Sequence, residues 1–175
     1  MQQRVLCVPV VLLLAACTRQ EAAPDAAVAA TATEIDALQQ RVDELNARVD
    51  ELVPEPAVLM AQVQVQHAKL YYAGRARNWQ LAAYTLHEIN EALQAVQTFH
   101  DAFEDFPTPL SELVPSLVGP PLAEIHDAIR SKDSARFDAG YQSLTMACNT
   151  CHATLDHDFI QVQVPAAREF ANQKF

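Results

Sequence analysis

From Ile35 to Leu155 the apolar residues recur in steps of three and four, and this spacing restricts the chain to helices. Over residues 34–52 they fall at Ile35, Leu38, Val42, Leu45, Val49 and Leu52, a heptad seam with acids and Arg on the other faces. Thr33 is the expected N-cap, and Pro54 and Pro56 stop the helix. After Ala57 the period resumes. Helix one is expected over 57–73 with Met60, Val63, His67, Leu70 and Gly74 inward. Helix two is expected over 79–105 with Ala82, Leu86, Ile89, Leu93, Val96, His100 and Phe103 inward. Gly74 should end the first of these and Asn78 should cap the second. Residues 106–121 carry five Pro and read as a loop with one short turn at most. Helix three is expected over 121–131, with Leu122, Ile125 and Ile129 inward. Helix four is expected over 135–155, with Phe137, Tyr141, Leu144, Cys148, Cys151 and Leu155 inward. The tail, 156–175, alternates between Phe159 and Val164 and should lie extended over one end of these helices. The expectation is all-α: an antiparallel four-helix bundle over 57–155, preceded by a short coiled-coil stalk over 34–53. Only three Gly in 175 residues agree with it.

The N-terminus speaks to compartment. Arg4 precedes an apolar run from Val5 to Ala16, too short to span a bilayer and laid out as a secretory signal. The run closes Leu14-Ala15-Ala16-Cys17, which resembles the lipobox of bacterial lipoproteins. The resemblance implies removal of 1–16 and lipidation of Cys17, with acyl chains as the membrane anchor. Thr18, where an Asp would favour the inner membrane, points to an outer-membrane protein facing the periplasm. Residues 17–33 are small and polar and read as a flexible tether. Processing leaves about 160 residues, enough for one domain and its tether. The net charge of −10, with no basic run, argues against nucleic acid as a partner. It suits a basic redox partner protein or a small redox carrier. The heptads suit a homo-oligomer, a dimer or a trimer.

Of four Cys, one lies in the signal and one takes lipid, leaving Cys148-Asn-Thr-Cys151-His152. Two thiols three positions apart, followed at once by His, can hold a haem from one helical turn, with two thioethers and one axial imidazole. A structural zinc would need a second ligand pair, and His67, His87, His100, His126 and His157 are scattered. A thioredoxin-like pair would follow a strand, and no strand pattern precedes this one.

A helical bundle with this motif on its last helix resembles cytochrome c prime and its low-spin relatives, over about residues 57–155. The resemblance implies one covalent haem c, thioethers at Cys148 and Cys151, and His152 as proximal iron ligand. Unlike the family's usual pattern, this chain continues for 23 residues past His152. In the family the group facing the iron from the first helix sets behaviour. His67 is the candidate sixth ligand, with Met60, His100, His126 or an open site as alternatives. His87 and His157 are expected in solvent. The function expected is single-electron transfer without substrate turnover. The alternatives are a gas-binding or sensing haem protein with an open sixth site, and a structural oligomeric lipoprotein. No catalytic constellation stands out in the sequence.

Overall fold

A computed structural model describes residues 23–103, 106–166, 170 and 173–175. The signal peptide over 1–16 and Cys17 lie outside the described residues. Among those described, the chain is all-helical with no strand. Its six helices are α1 (Ala23–Leu52), α2 (Pro56–Arg75), α3 (Trp79–Phe99), α4 (Leu110–Leu117), α5 (Gly119–Ser131) and α6 (Ser134–Thr154). Contacts divide the chain into two units, Met1–Leu52 and Val53–Phe175. No described helix is long and apolar enough to cross a membrane.

In the first unit, α1 begins at Ala23, inside the segment expected to be a tether. Residues 23–33 hold six Ala and no Gly, and Ala has the highest helix propensity. Pro24 falls in the first turn, where its missing N–H costs no internal hydrogen bond. Thr33 is therefore not a cap. It sits inside the helix, with Oγ1 donating to the Ala29 carbonyl at 3.0 Å.

The second unit is built from helix pairs. The helix α2 packs on α3, α3 on α5, α5 on α6, and α6 back on α2, while α4 packs on α3, α5 and α6. The apolar seams read from the sequence form its core, with Leu70, Ala73, Ala82, Ile125, Ala128 and Phe137 wholly buried. Each such side chain contributes roughly 1.5–3 kcal/mol if it is Leu-sized or larger, and less if it is Ala.

Three features of the connections differ from expectation. Gly74 does not end α2. It lies buried within the last turn, and Arg77, at φ 55°, makes the left-handed turn instead. Gly74 is required there because a Cβ would stand 2.0 Å from Cε1 of the buried Phe137 ring. Asn78 does cap α3, its Oδ1 accepting from the Leu81 amide at 3.2 Å. The helix α3 stops at Phe99, short of residue 105. Asp101 then receives the start of α4, its carbonyl accepting from the Leu110 amide and its carboxylate from the Ser111 amide. After an irregular stretch over 106–109, the proline-rich segment is thus α4 plus the first turn of α5, not a loop. Leu110, Leu113 and Val114 are buried at helical spacing, and Pro120 and Pro121 open α5, where proline is tolerated. At the start of α6, Asp133 caps the helix by accepting from the Ala135 and Arg136 amides.

The tail is irregular and does not stop at one end. Val162 is bonded to Asn149 near the end of α6, and Phe175 lies 5.2 Å from the Tyr72 ring near the end of α2. It follows the helices rather than covering one end of them.

Candidate functional site

The last two turns of α6 carry Cys148, Cys151 and His152, all half-buried. Both thiols are free and pack against the hydrophobic core. Burial, with Cys151 adjacent, pushes the Cys148 thiol up to about 12, and burial raises Cys151 as well. Thiols lowered for redox chemistry sit at helix N-termini or beside cations. These sit at a C-terminus, where the helix dipole also disfavours a thiolate. Among the described residues no three His, Cys, Asp or Glu come together as a metal site. The raised thiols are unlike those of a redox disulfide, and among the described residues no further ligand joins the pair.

His152 is oriented by the tail. Its Nδ1 lies 2.9 Å from the Ile160 carbonyl, which can only accept, so Nδ1 carries the proton and Nε2 keeps its lone pair. The tail holds this position through Asn149. The Asn149 side chain donates to the Val162 carbonyl at 2.9 Å and accepts from the Val162 amide at 2.7 Å. The amide of His157 also donates to the His152 carbonyl at 2.8 Å. Two protonated thiols on one helical face, and an imidazole fixed as an Nε2 donor one residue later, fit a haem c by the chemistry of the donor set.

His67 is 4% exposed, and both ring nitrogens have partners on α6. The Thr145 hydroxyl lies 3.0 Å from His67 Nε2 and 2.9 Å from the Tyr141 carbonyl. The Tyr141 hydroxyl lies 2.8 Å from Nδ1 and 3.0 Å from the His67 carbonyl. Desolvation lowers the His67 pKa to about 4, so the ring is neutral near pH 7. The neutral ring donates to one of these hydroxyls and accepts from the other. To bind iron through Nε2 it would have to give up Thr145.

The other candidates are placed as follows. His100 Nε2 donates to the Pro54 carbonyl at 2.8 Å. His126 is exposed and 3.6 Å from Asp127. His87 is exposed, whereas His157 is half-buried between the rings of Phe103 and Phe159, not in solvent. Met60 is half-buried against the core. The contacts of α2 with α6 run antiparallel, Gly74 against Phe137, Tyr71 against Tyr141, and His67 against Thr145. Continued by one and two turns, that register brings Cys148 level with Val63 and Gln64, and His152 level with Met60.

The sequence reading missed Thr145 and Asn149. Their signal was the four-residue spacing Tyr141, Thr145, Asn149, a polar stripe beside the apolar seam of α6. No protein-family model, curated protein or solved structure matches the chain.

Proposed function

We propose that this chain is a membrane-anchored, periplasmic c-type cytochrome. It carries one haem on Cys148 and Cys151 with His152 as proximal ligand, and it transfers single electrons. The observation that carries this reading is the His152 imidazole held through Nδ1 by the Ile160 carbonyl, one residue beyond two unbridged thiols. The haem supplies an iron that cycles between ferric and ferrous. The chain's part is to hold that iron rigidly, through a helix on one side and the Asn149–Val162 clamp on the tail, so that little rearranges when an electron arrives. The finer architecture in this reading is a four-helix bundle of α2, α3, α5 and α6, with α4 as an addition and α1 as a coiled-coil stalk. The lipid on Cys17 anchors it, by the lipobox reading, to the outer membrane.

We assign the sixth position to Met60 rather than His67. Met60 reaches the level of His152 in the α2–α6 register, and its thioether has no proton to lose. His67 is already committed to Tyr141 and Thr145. A site left open by Met60 would make the protein a gas binder, the second reading, which the engagement of His67 also allows.

The test is the visible spectrum of the protein made with haem-attachment machinery, alone and under carbon monoxide. A low-spin spectrum is expected, unmoved by the gas, converted to high spin by Met60→Leu and unchanged by His67→Gln. A high-spin wild type that binds carbon monoxide overturns electron transfer in favour of gas binding. Loss of the low-spin spectrum in His67→Gln alone, with Met60→Leu silent, returns the sixth position to His67.

A further inference from the structure

Between Val28 and Leu52, α1 presents one apolar stripe to solvent. Val28, Ile35, Val42 and Val49 alternate along it with Thr31, Leu38, Leu45 and Leu52. Val42 is the least exposed of its large apolar residues, at 48%, and Leu52 the most, at 80%. The matching seams of the second unit are almost wholly buried. A helix that owes its stability to an apolar face needs that face covered. The structure extends the stripe one heptad further back than the sequence reading took it, through Val28 and Thr31, and the longer register reveals a sorting. Every a position is β-branched, and three of the four d positions are Leu. This sorting has physical content only where a packs on a and d on d, which is the parallel arrangement. There, β-branched residues at a with Leu at d favour two strands over three or four.

We infer that α1 pairs with α1 of a second copy of this chain, as a parallel two-stranded coiled coil in register from Val28 to Leu52. The flanking positions are compatible. Parallel pairing sets Glu34 against Gln39 and Arg41 against Asn46 across the seam, so no like charges face each other. The area covered, on the order of 1,200 Å², is at the lower end of the range for specific stable interfaces. Both chains then leave the coil at the same end. This inference is independent of the haem.

Sedimentation equilibrium of the full chain in density-matched detergent tests it. A dimer is expected. Leu38→Asp with Leu45→Asp should raise its dissociation constant by about 100-fold or more, because each copy buries two charges. Gln40→Asp, on the outer face, should leave it unchanged. A monomeric or trimeric wild type overturns the inference, and so does a dimer indifferent to the double substitution. Direction is read by oxidising single variants Val28→Cys and Val49→Cys and mapping the linked peptides by mass spectrometry. Each variant should link to its own counterpart. Linkage only in a mixture of the two overturns the parallel arrangement.

Discussion

His67 makes the stability of the second unit depend on pH in a way that can be isolated. In the unfolded chain its imidazole takes up a proton near the ordinary value of 6.5, whereas in the folded protein burial holds that uptake off until about pH 4. Below 6.5 the unfolded state therefore binds more protons, and the folded state loses stability as pH falls, until His67 protonates in place near pH 4. At about 1.4 kcal/mol per pH unit, a drop from 6.5 to about 4 amounts to about 3 kcal/mol. Above pH 6.5 the ring is neutral in both states and contributes no slope. Carboxylates titrate in the same window, so the measurement is a difference. Urea unfolding is followed at several pH values between 7 and 4 for the wild type and for His67→Gln. Gln keeps one donor and one acceptor for Thr145 and Tyr141 but cannot titrate. The wild type should lose about 3 kcal/mol more than the variant across this window. Parallel pH profiles for the two proteins would refute the reasoning, because they would mean that His67 is not held neutral by burial.

Gly74→Ala should destabilise the second unit by about 2 kcal/mol, because its Cβ would overlap the buried Phe137 ring. Adding Phe137→Leu should recover part of that loss. A wild-type urea midpoint for Gly74→Ala would contradict the close approach. Asn149→Ala should free the tail, at a cost of about 1–3 kcal/mol for two lost hydrogen bonds. Hydrogen exchange at the Val162 amide would then speed up toward that of an open amide, and undiminished protection would show that another contact holds the tail. Cys148→Ala and Cys151→Ala should each leave at most one thioether to the haem, read as haem released under conditions that leave the wild type loaded.

The seams of α2, α3, α5 and α6 were legible because a 3.6-residue period survives any context in which one helical face is buried. The ends of these helices were not equally legible. Gly74 looked like a terminator by composition, but its role is space for Phe137, a residue 63 positions away, and no local signal encodes that distance. The helix α4 was masked by its prolines although Leu110, Leu113, Val114 and Leu117 repeat at helical spacing. Pro115 costs one hydrogen bond in a helix of eight residues, and three buried side chains outweigh it. In Ala-rich 23–33 the apolar stripe is marked by Val28 alone, too little to reveal a helix by periodicity, so Ala propensity was the main signal for that part of α1. At the candidate site, Cys148, Cys151 and His152 announced themselves because their chemistry depends on adjacent positions. The partners of His67 and the acceptor for His152 Nδ1 depend on how α2 and the tail meet α6, and sequence spacing carries only a faint trace of that.

The central claim is that Cys148 and Cys151 hold a haem covalently, and the most direct measurement is haem stoichiometry after denaturation. The full chain, made with haem-attachment machinery, would be unfolded and extracted with acidified solvent, then read by intact mass and by its alkaline pyridine spectrum. The account predicts one haem per chain that resists extraction and has both vinyl groups saturated. Haem that extracts completely, or a chain that leaves the attachment machinery with two free thiols and no haem, would contradict it.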